Sequence, residues 1–275
     1  MLTSIETALR EGRLIPYLGS GVLDLTGGGA AVPSSAAGLV SQLTAQASVP
    51  HKLRTNLSGA AQFIENFKHR KTLTSLMHKA FSPRVAPTAL HRMLAQETGI
   101  KLIVHAWYDD VPQTALAGRS DWGMLQGVSQ SEHFGSWTHA FRADGTRVMD
   151  HDEVARWTTT LYQPFGSFAP AANFLVSDSD FVEVLTEIDI QTPIPSEVQD
   201  IRRGRNFLFL GCRFSTQLER VFARQIIKRS SDKHWAVLPE EPTRNELRFM
   251  AEYSIERIAV PLTEFVASWP ELAVA

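Results

Sequence analysis

The sequence lacks the raw material for several familiar kinds of protein. It holds a single cysteine, Cys212, in 275 residues, which excludes an internal disulfide framework and any multi-cysteine metal cluster. It has no excess of basic charge: 27 Lys and Arg stand against 29 Asp and Glu, a formal net charge of -2. Nucleic-acid binding rests on a basic stripe that neutralises phosphates, so nucleic acid is not an expected partner. No apolar run approaches the roughly 18 residues that mark a membrane-spanning helix, so no membrane is expected either. Glu6, Arg10 and Glu11 interrupt the start of the chain, and no apolar core precedes a small-residue cleavage site. A secretory leader is therefore not expected, and the cytoplasm is the expected compartment. What is present is ordinary for a globular fold: 44% hydrophobic and 20% charged residues.

Short apolar runs alternate with stretches of helical spacing. Leu14-Ile15-Pro16-Tyr17-Leu18 reads as a brief strand, weakened by Pro16, which has no N–H to give a central ladder. Residues 100–104, 173–176, 206–210, 235–238 and 255–260 read as further strands. Helical periodicity is expected from Ser4 to Gly12, at Leu39–Leu43 spacing, over 58–68 and 72–81, and from Pro87 to Gly99. It returns from Ser177 or Asp178 through Ile188, from Pro195 to Gly204, after a Ser215 cap, and over 243–253. Strands separated by such helices predict an α/β fold, a Rossmann-like parallel sheet with helices on both faces. Residues 118–160 keep no sustained period. They are expected to form a small inserted lobe or a β-rich excursion within one domain spanning 1–275.

Ligands in open parallel sheets gather at the carboxyl ends of strands. Three such ends carry unusual residues: Gly19-Ser20-Gly21, His105 to Asp110, and Gly211 to Ser215. Glycine permits close approach, so main-chain amides at Gly19 and Gly21 are candidates for phosphate contact. A plain tight turn accounts for the same pair of glycines. Glu132, His133, His139 and His151 lie in the aperiodic stretch without metal-ligand spacing, so no metal site is expected from them. Cys212, at a strand end before a helix, is a candidate for a lowered pKa, but is expected to be a buried, inert thiol instead.

The order of these pieces resembles one family. Gly19-Ser20-Gly21-Val22-Leu23, His105-Ala106-Trp107-Tyr108-Asp109, Phe165-Gly166-Ser167, Leu175 to Phe181, and Phe209-Leu210-Gly211-Cys212-Arg213-Phe214-Ser215 follow the segment order of the sirtuin-like NAD-binding proteins. The bacterial branch of that family often hydrolyses NAD in antiphage defence. Its members typically show G-A-G-x-S, T-T-N-Y-D, H-G-S and F-L-G-x-S at these places. The resemblance implies an adenine dinucleotide as cofactor or ligand. It places Gly19, Ser20, Gly21 and Val22 at the phosphates, with Pro33 and Ser34 shaping the wall. It places Trp107, Asp109, Phe165 and Gly166 at the ring end, and Gly211, Cys212, Arg213 and Ser215 at the adenosine half.

The departures carry as much meaning as the matches. By this alignment the family's asparagine and histidine are replaced by Trp107 and Phe165. An indole only donates, and a phenyl ring neither accepts nor shuttles a proton. General-base help is typically worth about 100- to 10,000-fold in rate, so the expected protein binds a dinucleotide but hydrolyses it poorly or not at all. It then acts as a binding, sensing or accessory protein. The alternative is an NAD glycohydrolase whose base comes from His105 or Asp109. A further alternative is an FAD-binding redox or accessory protein, because the aromatic faces of Trp107 and Phe165 suit a flat heterocycle. The four-cysteine zinc module of deacylating sirtuins cannot be built from one cysteine. Proteins of this kind often assemble, which makes a homo-oligomer or an unidentified protein partner an expectation.

Overall fold

The computed structural model describes residues 2–27, 29, 31–187 and 194–274. Its centre is a nine-stranded sheet. In chain order the strands are β1 (Leu14–Leu18), β2 (Leu102–His105), β3 (Trp122–Gly127), β4 (Thr138–Arg142), β5 (Arg147–Val148) and β6 (Thr159–Gln163), then β7 (Gly166–Ser167), β8 (Asn173–Phe174), β9 (Asn206–Leu210), β10 (His234–Val237) and β11 (Ile255–Ile258). The spatial order is β11-β10-β9-β1-β2-β6-β3-β4-β5, with β7 and β8 forming a separate antiparallel pair. Strands β11 through β3 in this spatial order run parallel, and the β4–β5 hairpin adds antiparallel strands at one edge. The α/β Rossmann-like expectation holds.

Burial on both faces explains why the inner strands read as unbroken apolar runs. In β9, Leu208 and Leu210 face one side of the sheet while Phe207 and Phe209 face the other, all at 0% exposure. Full burial of each such side chain is worth about 1.5–3 kcal/mol. Helices Leu2–Arg10, Ala89–Gln96 and Leu262–Val274 cover the first face through Ile5, Leu90, Leu94 and Trp269. Helices Ser196–Arg202, Gln217–Ile227 and Arg244–Glu252 cover the second through Val198, Ile226 and Phe249. A third core lies apart from both faces. Helices Ala36–Gln46, Leu57–Lys68 and Arg70–Phe81 form a cap packed on Trp107, Tyr108 and Phe174.

The chain passes from β1 to β2 on one side, and later returns to β9 on the other. Strand order therefore reverses about β1, and the carboxyl ends of β1 and β9 flank the crevice where such sheets take ligands.

Several boundaries differ from the periodicity, each for a local reason. Pro16 sits inside the sheet because the β1–β2 ladder begins only at Tyr17. The first helix starts before Ser4, which is an interior residue. Thr216, rather than Ser215, caps the helix Gln217–Ile227, and Thr88 caps the helix expected to open at Pro87. Residues 118–160 supply β3, the β4–β5 hairpin, the short helix His151–Val154 and the start of β6, with β3 paired in parallel to β6. Gly28 and Ile188 lie outside the described residues.

Candidate functional site

A cleft of ≈ 1110 Å³ opens at the carboxyl ends of β1 and β9. Sites for drug-sized ligands span about 300–1,000 Å³, so this one admits a ligand larger than a single ring system. Its floor includes Tyr17, Gly19, Ser20, Gly21, Gly211 and Cys212, and the helical cap forms one wall. Four helices bring their first turns to it. Residues 34–37 open the helix Ala36–Gln46, 56–58 open Leu57–Lys68, Thr216 to Glu219 open Gln217–Ile227, and Leu262 and Thr263 open Leu262–Val274. The leading amides of a helix lack intrahelical partners and amount to roughly half a positive charge, which favours an anion there. This convergence was not read from the sequence. Its signal was in the caps: Ser35, Asn56 and Thr216 each accept the amide three residues on.

The two glycine turns interlock. A side chain at Gly19 would meet Cys212 Cβ and Gly211 O at 2.5 Å, and one at Gly21 would meet Gly211 O at 2.9 Å. Gly211 has φ +62, and a side chain there would strike the Val22 amide. The amides of Gly19, Gly21 and Val22 already donate within the protein, to Leu210 O at 2.9 Å, Gly211 O at 2.8 Å and Gly19 O at 3.2 Å. The glycines are thus required by the crossing of two loops, and those three amides are engaged. Ser20 and Ser34 remain on the cleft surface, whereas Val22 is buried beneath it. Pro33 does not line the cleft; its carbonyl accepts the Trp107 indole N–H at 2.7 Å.

Trp107, Tyr108 and Phe165 line the cleft together. Trp107 is fixed by that bond and by Phe81, and Tyr108 donates its hydroxyl to Leu175 O at 2.8 Å. Phe165 packs edge-on against Phe222 at 4.6 Å and Phe181 at 5.8 Å. No histidine is among the described residues that line the cleft. His105 and Asp109 are absent from its lining and lie buried with Nε2 and Oδ2 3.1 Å apart. Burial pushes the Asp109 carboxyl up, but His105, His91 and the Val111 amide outweigh it and hold the group below the ordinary carboxylate range. This pair ties down the loop that presents Trp107 and Tyr108. Gly166, also outside the cleft lining, takes φ +78 in the β7–β8 pair.

Cys212, Arg213 and Ser215 line the other half. Arg213 forms a forked pair with the buried Glu246 carboxylate, 2.9 Å on each arm, and also meets Glu240. These hydrogen bonds hold the Glu246 carboxyl down at about 2 against the opposing effect of burial. Ser215 donates to Glu219 at 3.0 Å. The remaining candidates are drawn elsewhere. Glu132 meets Arg70, whose guanidinium also holds Asp180 and Glu65. His133 stacks edge-on with His139 at 4.7 Å and faces Asn173, and His139 accepts from Arg147. The side chain of His151 lies outside the described residues.

The cleft's dimensions, its aromatic end and its ring of helix N-termini fit an anionic dinucleotide. Among the described residues, no helix is long and apolar enough to cross a membrane. No curated protein matches the chain. A family model described as a SIR2-like domain matches residues 101–258, from the strand β2 to the end of β11. It covers more than half of the sequence and leaves the Gly19–Gly21 turn outside the matched range. With this fold and this cleft, the chain belongs to the SIR2-like domain family, a family of NAD-related ligands.

Proposed function

We propose that this protein holds an adenine dinucleotide, NAD in the first instance, and hydrolyses it poorly or not at all, serving as a binding, sensing or accessory protein. The observation that carries the reading is a cleft ringed by four helix N-termini that no described histidine lines. The first turns of Ala36–Gln46 and Leu57–Lys68 contain no acidic residue, which suits a pyrophosphate beside them. The half-buried Phe165 and the nearly buried Trp107 and Tyr108 wall the nicotinamide end, and neither Trp107 nor Phe165 can accept a proton. Gly211, Cys212, Arg213 and Ser215 stand at the adenosine end. NAD would supply the N-glycosidic bond that active relatives of this kind break, and the chain's own contribution is binding and orientation.

Calorimetric titration with NAD, followed by chromatography of the incubated mixture, tests both halves of the reading. Saturable binding is expected, with no nicotinamide or ADP-ribose released above a protein-free control. Steady release of those products would instead make the protein an NAD glycohydrolase. Visible flavin absorption in the freshly purified protein would identify the dinucleotide as FAD. Absence of binding to any dinucleotide would overturn the reading.

A further inference from the structure

The two ends of the cleft differ in charge. On the side of the helical cap, the helices Ala36–Gln46 and Leu57–Lys68 are capped by the neutral side chains of Ser35 and Asn56. On the opposite side, the helices Gln217–Ile227 and Leu262–Val274 each carry a glutamate in the first turn, Glu219 and Glu264. Glu219 lines the cleft, and its Oε2 accepts the Thr216 amide at 2.7 Å and the Ser215 hydroxyl at 3.0 Å. The positive end of that helix is thus met by the protein's own carboxylate. Its charge also opposes ionisation of Tyr17 and Cys212 on the cleft floor.

The cations nearby are already engaged. Arg213, which lines the cleft, pairs with Glu246 and Glu240. Arg220 lies outside the cleft lining and donates to the carbonyls of Phe214 and Ser215. Arg257, also outside it, pairs with Glu241. Arg213 is the one cation among the described residues that line the cleft, so an added phosphate at this end would meet carboxylates without gaining an unengaged guanidinium from the lining.

From this asymmetry we infer that Glu219 makes the cleft selective for a dinucleotide whose adenosine ribose carries no phosphate, NAD over NADP. The inference rests on the proposed reading, with adenosine lying beside Gly211–Ser215. Like charges brought together at an interface suppress the wrong partner by several kcal/mol when desolvated and by less when exposed. Glu219 is half-buried, so a preference of at least about tenfold is expected at low salt. Glu240, with a side chain 78% exposed, contributes less.

The experiment titrates the full chain with NAD and with NADP, at low and moderate ionic strength, as wild type and as Glu219→Gln. Glutamine keeps an oxygen for the capping box while removing the charge. Wild type should bind NADP at least about tenfold more weakly, and the ratio should narrow to below about threefold in Glu219→Gln. The wild-type ratio should also narrow as salt rises, which reads the same field without any variant. Equal wild-type affinities, or a ratio unmoved by both the substitution and salt, overturn the inference while leaving NAD binding intact. Failure to bind either dinucleotide overturns the underlying reading and the inference with it.

Discussion

Cys212 sits where the exit of β9 meets the glycine turn after β1. Burial there, reinforced by the Glu219 carboxylate, pushes its thiol well above the ordinary thiol range. The thiolate is the reactive form, and each unit of upward shift removes about nine-tenths of it at a given pH below the pKa. Alkylation by iodoacetamide at pH 7.5 (about one unit below a free thiol's pKa) should therefore run at least about tenfold slower than on a free-thiol peptide. Mass spectrometry of the labelled chain across pH 7 to 10 checks this, and labelling as fast as the peptide's would show an accessible thiol of ordinary acidity. The place of Cys212 between a strand and a helix was legible in the sequence; its half-buried position on the cleft floor was not. An ion pair at Arg213 was legible too, but not its partner: Glu246 lies 33 residues downstream and meets it through the packing of β9 against β10. Trp107 and Phe165 were expected together at one end of a ligand crevice, and both line the cleft. His105 and Asp109, named from the same loop, are buried against each other and do not line the cleft.

At the level of elements, the crossing of two turns is the feature on which the cleft most depends. Gly211 at φ +62 is a position where an L side chain costs roughly 1–2 kcal/mol before any clash. A side chain there also strikes the Val22 amide, so Gly211→Ala should lose about 2 kcal/mol or more of stability together with measurable NAD binding. Urea unfolding paired with calorimetric titration gives both readouts, and a variant as stable as wild type would mean that the loops do not cross as closely as described. Individual elements were legible where periodicity was strong, as in the continuous apolar run of β9 or the helical spacing before His69. Their assembly was less so. That three helices between residues 36 and 81 form a separate core over Trp107 depends on contacts with residues far away in sequence. The strand β3 was hidden because Trp122-Gly123-Met124-Leu125-Gln126-Gly127 mixes glycines with apolar residues. Gly123 is there because the Trp157 ring lies where its side chain would be, a neighbour that periodicity does not reveal.

For the molecule as a whole, the buried imidazoles set how it responds to acid. Burial holds His91 down at about 4, with Arg92 and His105 adding to the effect and Asp109 opposing it. Burial likewise holds His234 at about 4, partly opposed by the Ser231 backbone and by Asp232. Both are neutral in the fold near pH 5, whereas in the unfolded chain they titrate near about 6.5. The unfolded state therefore binds more protons between those values, and stability falls as pH drops through that window. By pH 5 each group accounts for a loss of about 2 kcal/mol relative to pH 8. Asp109 acts in the same direction at lower pH, since its depressed carboxyl contributes stability that disappears as it protonates. The unfolding free energy should consequently decline steeply from pH 7 to pH 5, well before ordinary carboxylates titrate. Urea denaturation at half-unit intervals measures the slope, and His91→Asn, which removes one titrating ring, should flatten it by about one proton's worth. A curve flat across that interval would mean that these rings are protonated, or reach water, in the folded protein.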